Sequence, residues 1–410
     1  MTANKVLVIG GGVAGLAAAS ELAELDIDVE IVDQSDFPGG HAIQYTCKAT
    51  DQCVKCGACM VEEKLERVVT NPKIKVIAGA RVRDVSKSEG FSVNLLKKPA
   101  FIDPGKCSNC GICFEKCPEE GAVLKGFSRN HVPFFAISEK KCLYLKDQSC
   151  RICQEACPEK AIDLNARETA ESTRADAVIL ATGFTPFNPV SKPYGYGKFK
   201  NVVTNLELER MLRTDGRAIK PSSGAEAGSI AFIQCVGSRD AKLNHLWCSK
   251  VCCGSALRMA GLVKARQPGT QITFFYMDVQ TFGRDFDVFY AKVRKDVRLI
   301  RAIPGDIYPG TGDQLRVTFL DNLSSETLQE EFDLVVLSVG MTPCHGMQET
   351  AEILKVPLAE TGFAQKADAG GLASEKGVFT AGSVTGPMSI SESIADAGKT
   401  AFEVAKYLGV

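Results

Sequence analysis

Sixteen of the chain's seventeen cysteines fall into four sets of four, which restricts the fold to one that gathers thiols at those spacings. Cys107, Cys110, Cys113 and Cys117 form C-x2-C-x2-C-x3-C, followed by Pro118. Cys142, Cys150, Cys153 and Cys157 form C-x7-C-x2-C-x3-C, followed by Pro158. Cys47, Cys53, Cys56 and Cys59 form C-x5-C-x2-C-x2-C, and Cys235, Cys248, Cys252 and Cys253 form C-x12-C-x3-C-C. Three cysteines at x2 spacing, then x3 and Cys-Pro, are an iron–sulfur ligand pattern. Zinc sites instead pair two C-x2-C knuckles across a gap. Disulfides are disfavoured, because no export signal precedes Lys5 and a chain of 410 residues needs no stapling. Low-potential clusters are oxygen-labile, so a reduced, anaerobic cytoplasm is the expected setting.

Net charge is −1, which gives no case for a nucleic-acid partner. No apolar run approaches the roughly 20 residues of a spanning helix, so no membrane span is expected.

Lys5 to Ile9 reads as a buried parallel strand. Gly10-Gly11-Gly12-Val13-Ala14-Gly15 follows at once, then a helix over Leu16 to Leu25 and a second strand, Asp28 to Val32, ending at Asp33. This is a dinucleotide fingerprint in its structural context. Gly10 serves the tight turn, Gly12 lets backbone approach a pyrophosphate, and Gly15 lets helix pack on strand. N–H groups at the helix start, around Val13 and Ala14, face the phosphates, and Asp33 accepts from a ribose.

The fingerprint alone leaves FAD and NAD open. The strand Ala177 to Leu180 ends in Ala181-Thr182-Gly183, and Leu334 to Gly340 looks like its second copy. Gly377 to Ala381, followed by Gly382-Ser383, resembles the late motif of two-dinucleotide flavoproteins, where Asp is usual in place of Ser383. Gly39 and Gly40 belong at the adenosine end. Four motifs in this order favour FAD, with the helix Ser389 to Tyr407 near the flavin ring. The plainer alternative is that these are Gly-ended strands of any α/β sheet.

Residues 97–166 interrupt this frame after the strand Phe91 to Leu96. The two Cys-Pro-terminated sets, each followed by a short apolar stretch (Ala122-Val123-Leu124 and Ala161 to Leu164), form the internal repeat of a two-cluster ferredoxin. There the fourth cysteine of each half serves the other cluster. One cluster then takes Cys107, Cys110, Cys113 and Cys157, and the other Cys150, Cys153, Cys117 and Cys142. The insertion Leu143 to Ser149 displaces Cys142; without it the second cluster would be a three-iron species.

Residues 200–330 lie where a second dinucleotide domain belongs. After the strand Ser229 to Gln234, the loop Cys235-Val236-Gly237-Ser238-Arg239 has no G-x-G-x-x-G. Direct NAD(P)H binding is therefore not expected. Cys248, Cys252 and Cys253 then open a helix, Gly254 to Ala265, whose positive end favours thiolates. A thiol–disulfide centre is the competing reading, but it would use C-x-x-C, and a vicinal disulfide needs a strained peptide.

With these pieces the chain resembles the flavoprotein component, the A subunit, of heterodisulfide reductases. The resemblance rests on Gly10 to Gly15, Gln234 to Asp240, Cys248 to Cys253, Thr281 to Tyr290 and Ala381 to Pro387. It implies an α/β, thioredoxin-reductase-like flavoprotein with two dinucleotide-binding domains and an inserted α+β ferredoxin domain. It implies FAD, about four 4Fe-4S clusters, and Cys235, Cys248, Cys252 and Cys253 ligating a cluster close to the flavin. Implied partners are other redox subunits, similar to the B, C or D components of heterodisulfide reductases or to ferredoxins. Some relatives perform flavin-based electron bifurcation. Short forms resemble the A-type component of the quinone-modifying oxidoreductase or the benzoyl-CoA reductase complex flavoprotein. The chain ends at Val410, where long members continue into another ferredoxin domain. Arg258 stands where many relatives carry a Lys thought to face the flavin; Arg keeps its proton, so it could hold an anionic flavin but not shuttle a proton.

The expected division is 1–96, 167–199 and 331–410 for the FAD domain, 97–166 for the ferredoxin and 200–330 for the degenerate second domain. Cys47, Cys53, Cys56 and Cys59 are read as a fourth cluster, with zinc, or three ligands and a bystander, as alternatives. Cys344 is expected to be a buried structural thiol. His41, His131, His245 and His345 match no catalytic spacing, and His245 alone merits testing as a ligand. No catalytic residue for an organic substrate is found. The expected function is electron transfer, as one component of a multi-subunit redox complex. The alternative is an NAD(P)H-dependent flavin reductase resembling the small subunit of glutamate synthase.

Overall fold

The computed structural model describes residues 4–410 except 129, 131, 132, 281, 282, 284, 285, 323, 369, 370 and 374. His131 and, within the motif beginning at Thr281, Thr281, Phe282, Arg284 and Asp285 lie outside the described residues. The fingerprint folds as β1 (Lys5–Ile9), α1 (Val13–Glu24) and β2 (Asp28–Asp33), followed by α2 (Ala58–Thr70) and β3 (Ile74–Ala78). A hairpin, β4 (Ala80–Ser88) and β5 (Gly90–Lys97), leads into the cysteine-rich insertion. The insertion holds α3 (Ile112–Glu115), β6 (Val123–Lys125), β7 (Phe135–Ile137), α4 (Leu143–Asp147) and α5 (Ile152–Ala156). The chain returns through β8 (Thr169–Ala175) and β9 (Ala177–Leu180).

The second unit follows β10 (Phe184–Pro186). It runs β11 (Val202–Thr204), α6 (Asn205–Thr214), β12 (Ser229–Val236), α7 (Cys252–Arg266), β13 (Gln271–Phe275), α8 (Phe286–Val293) and β14 (Arg298–Ile300). A meander, β15 (Ile307–Pro309), β16 (Leu315–Leu320) and β17 (Thr327–Phe332), precedes β18 (Leu334–Val339). Then β19 (Met341–Pro343), α9 (Met347–Leu354), β20 (Val378–Thr380) and α10 (Ile390–Leu408) complete the first unit.

Each unit is built on a five-stranded parallel sheet, β20-β9-β1-β2-β3 and β11-β18-β12-β13-β14, and each carries a three-stranded antiparallel meander, β4-β5-β8 and β15-β16-β17. Antiparallel β10 and β19 form the crossing between the units. The sheets are covered on both faces, which is why their strands are continuously apolar. In β1, Val6 and Val8 join the core under α1 and α10, while Leu7 and Ile9 join the opposite one. In β12, Ile230 and Phe232 face one core and Ala231 and Ile233 the other. Among the described residues no helix is long and apolar enough to cross a membrane.

Two elements differ from the sequence reading. The first helix begins at Val13, so its opening turn includes Gly15. The helix expected at Gly254 begins at Cys252, which places both vicinal cysteines in its first turn. The apolar residues of the stretch Ala161 to Leu164 are buried, and it bridges to the start of the insertion through Ile102 and Ile162. The insertion leaves and rejoins within one meander, because β8 pairs with β5 over its whole length.

Candidate cofactor sites

At the mouth of the first sheet the glycines meet backbone. A Cβ on Gly15 would stand 1.8 Å from the Gly10 carbonyl oxygen, and one on Gly10, at φ +109°, would stand 2.4 Å from the Ala181 carbonyl. Gly12 is different: its nearest neighbour beyond the adjoining chain is the Cα of Gly40, 3.9 Å from such a Cβ. The backbones of Gly12 and Gly40 thus pack together, a Cβ on Gly40 standing 3.1 Å from the Gly12 Cα, and Gly39 is tied to this glycine-lined cradle by its N–H to the Gly11 carbonyl at 2.7 Å. Val13 and Ala14 open α1 without a side-chain cap, leaving the helix start to another partner. This cradle suits a pyrophosphate.

Asp33 is buried at the end of β2. Its carboxylate accepts from the N–H groups of Gly11 at 2.6 Å and Ser35 at 2.7 Å. Burial pushes its carboxyl upward, against the pull of these donors. Ala181 and Thr182 end β9, and Gly183, at φ +72°, lies beside the Ser383 hydroxyl. Gly382 approaches Ala14 so closely that a Cβ would meet it at 2.4 Å, and its N–H donates to Asp396 of α10 at 2.8 Å. His41 places Nε2 3.1 Å from the Phe184 carbonyl. Cys344 is buried, with its sulfur 3.1 Å from the Thr182 hydroxyl.

The insertion carries two clefts. One is lined by Cys117, Cys142, Cys150 and Cys153 among others. The other is lined by Cys107, Cys110, Cys113 and Cys157 among others. Each joins three cysteines of one half of the repeat with one cysteine of the other. The short helix α4 takes up the residues after Cys142 and returns that thiol to the cleft wall. Burial pushes the Cys113 and Cys153 thiols up to about 11, and the neighbouring cysteines add to the effect. Among the described residues no three His, Cys, Asp or Glu side chains converge on a point fit for one metal ion. These sulfurs line a space instead.

In the second unit the crossover from β12 through α7 to β13 corresponds to β1, α1 and β2 of the first. Where the first unit carries glycines, here Cys235 lies at the end of the strand, Cys248 in the loop, and Cys252 and Cys253 open the helix. Burial pushes the Cys235 thiol up to about 12, with Cys253 and Cys248 adding to it. Cys252 and Cys253 are raised for the same first reason. Burial thus works against the thiolates that the start of α7 would favour, and a metal binding here would displace the protons. Around the set, Arg239 pairs with Asp278 at 2.6 Å, and the Asp278 carbonyl lies 3.8 Å from the Cys253 sulfur. His245 bonds the Gly237 carbonyl through Nδ1 at 2.9 Å and packs on Trp247, so it braces the loop.

The Cys47–Cys59 segment sits against this second unit. Arg258 of α7 donates from Nε to the Val54 carbonyl at 2.8 Å and lies over Phe286 and Phe289. Burial pushes its guanidinium downward, against the opposing pull of Cys56 and Cys53. Arg258 thus meets the cysteine loop directly. Cys47, Cys53 and Cys59 are exposed. Lys48 and Glu209 form an ion pair at 2.6 Å with side chains 3 % and 2 % exposed. Arg213 donates to the carbonyls of Ile43, Tyr45 and, in the insertion, Phe127. Sequence reasoning missed Lys48, Glu209 and Arg213; the one available signal was charge on α6, which solvated helices also carry.

Paired parallel sheets, a crossing between them and a glycine cradle define a thioredoxin-reductase-like, two-dinucleotide-domain protein with a cysteine-rich insertion. The thioredoxin reductase of T. acidophilum superposes with a TM-score of 0.56 at 17 % identity, covering 99 % of this chain and 98 % of that one. The thioredoxin reductase of Lactococcus lactis gives 0.57 at 13 % identity, covering 99 % of each. A family model for NAD(P)-binding Rossmann-like domains matches residues 8–61. The second iron–sulfur A subunit of the CoB--CoM heterodisulfide reductase of Methanopyrus kandleri is 35 % identical over 99 % of this chain and 64 % of its own length. The A subunit of the H(2):CoB-CoM heterodisulfide,ferredoxin reductase of Methanothermobacter thermautotrophicus is 33 % identical over 98 % of this chain and 63 % of its own. The chain belongs to the A-subunit family of heterodisulfide reductases, and it spans less than two thirds of these relatives' length.

Proposed function

We propose that the chain is an oxidoreductase subunit that holds FAD and four 4Fe-4S clusters and moves electrons between them and partner redox subunits. The observation that carries this reading is the cysteine loop of β12 and α7, which stands where a second phosphate cradle would stand. The lining of each insertion cleft by four sulfurs supports the crossed ligand assignment. Bound in these places, FAD supplies conversion between two-electron and one-electron transfer, and the clusters supply single-electron relays.

The residues present fit that role. Gly12 and Gly40 put no side chain in the way of a pyrophosphate, and the uncapped α1 start would receive it. Arg258 keeps its proton and is held by Val54 and two rings, so it fixes charge between the Cys53–Cys56 loop and α7. Partners of the kind seen in the relatives' names, other heterodisulfide reductase subunits, belong to this reading.

Anaerobic analysis of the full chain is expected to give about one flavin and roughly 16 irons, four for each four-cysteine site. About four irons or fewer would remove the four-cluster form. Rapid bleaching of the flavin by NADPH in the isolated chain would favour the flavin-reductase alternative. Electron bifurcation, the finer activity, requires one donor to reduce a low-potential and a high-potential acceptor together, and is tested in the assembled complex.

A further inference from the structure

β12 is apolar and buried from Ile230 to Ile233, and then carries Gln234, which is 3 % exposed. Among the described residues, neither the Oε1 nor the Nε2 of Gln234 has a hydrogen-bond partner. On the adjoining strand β18, Ser338 is fully buried and its hydroxyl is also unpartnered. Buried polar groups in folded proteins are nearly always paired, and each exception needs a cause.

The strand register supplies one. β12 and β18 pair in parallel up to Ile233 and Leu337 and resume at Val236 and Val339. Gln234 and Cys235 therefore stand against Ser338 alone, as a bulge, which re-aims side chains beside functional sites. Cys235 takes φ +60°, an uncommon value for a residue with a Cβ. Beyond the bulge, the Val339 carbonyl lies 3.8 Å from the Cys252 sulfur. Both rails of the bulge thus lead to cysteines of one set. Gln234 and Ser338 are neighbours across it, yet they do not bond each other.

We propose that the Gln234 amide and the Ser338 hydroxyl donate hydrogen bonds to the sulfurs of the cluster held by Cys235, Cys248, Cys252 and Cys253, and so set its reduction potential. This rests on the reading that the set holds a cluster. Donors aimed at cluster sulfurs stabilise the more negative, reduced form and raise the potential. Gln234 and Ser338 act as positioning residues, through the sulfurs.

The test is an anaerobic redox titration of the iron-loaded full chain, followed by electron paramagnetic resonance. The signal of this cluster is identified by its loss in Cys235→Ser. Gln234→Met keeps size and removes the donor. Iron content is expected to stay constant, while the reduced-to-oxidised ratio of this cluster at fixed poise falls about tenfold, roughly 59 mV for one electron. Ser338→Ala should shift it in the same direction. Coupling of an exchangeable deuteron to the cluster, recorded in D2O, should be lost in Gln234→Met. An unchanged potential and coupling at full iron content would overturn the proposal, as would an ordered water taking the amide, which gives that same result. If Gln234→Met loses iron, Ser338→Ala decides, and an unshifted potential there overturns the proposal. Failure of the underlying reading looks different: Cys235→Ser would leave iron content and every signal as in the wild type.

Discussion

Replacing Glu209 by Leu strands the Lys48 ammonium, which is 3 % exposed, between α6 and the segment that leads into Cys47. Breaking a buried pair by removing one partner costs about 3–5 kcal/mol. Among the described residues Lys48 keeps the Thr46 carbonyl at 3.1 Å and the Tyr45 ring at 5.2 Å, and the ring returns about 0.5–2 kcal/mol. A net loss near 3 kcal/mol is roughly a hundredfold rise in local opening. The double replacement Lys48→Met with Glu209→Leu should behave otherwise. Burial already pushes the Glu209 carboxyl upward against the pull of Lys48, so desolvation outweighs attraction and an apolar pair should be near neutral. Losing the bond to Thr46 leaves a cost of about 1 kcal/mol. Hydrogen exchange of peptides covering 41–48 and 205–214, in the iron-loaded chain, reads both. The single variant should exchange roughly a hundredfold faster, and the double only several-fold. A double variant that opens as far as the single, or further, would refute the reasoning.

Gly12→Ala should keep the fold and weaken flavin binding, whereas Gly15→Ala should lose both, because overpacking against the Gly10 carbonyl costs about 3 kcal/mol or more and the Cβ would stand 1.8 Å from it; unfolding midpoint and flavin stoichiometry separate the two. Cys142→Ser should lower iron by about one atom per chain and give a three-iron signal, while Cys344→Ser, bonded only to Thr182 and Met347, should leave iron unchanged. Burial opposes ionisation of Glu30, but the Thr173 hydroxyl and the Lys75 and Lys5 ammonium groups outweigh it and hold its carboxyl below the usual range. Its contribution is therefore present above the unfolded value of 4.5 and is lost as pH falls further. The difference in thermal midpoint between wild type and Glu30→Gln should be constant near neutral pH and close below 4.5.

What the sequence made legible was local. The strand, Gly10-to-Gly15 turn and helix are consecutive, and each glycine's role follows from spacing. The exchange of Cys117 and Cys157 between clefts is readable because two sets repeat in one short insertion. What it hid was remote or polar. Thr169 to Ala175 is a strand only because β5 supplies its bonds; its side chains are mostly exposed and carry no apolar alternation. Gln234 stands out only when Ser338, on a strand far along the chain, is brought beside it. Arg258 and Val54 are 204 residues apart, and nothing local marks either as the other's partner.

That last contact bears on how the two units work together. The Gly10–Gly15 loop and the Cys235–Cys253 loop occupy corresponding crossovers, so a chain built on two similar frames presents a phosphate cradle on one and thiols on the other. A soluble dinucleotide would need the second unit's crossover to stay open. Here Arg258, in the helix that this crossover feeds, is bound to the loop of the Cys47–Cys59 set, and Tyr45, before that loop, lies within electrostatic reach of Cys252. Lys48 and Glu209 and the three carbonyls held by Arg213 close the same seam. On the proposed function, single electrons would pass without release of a bulky carrier, and a seam held by buried charge fits that reading.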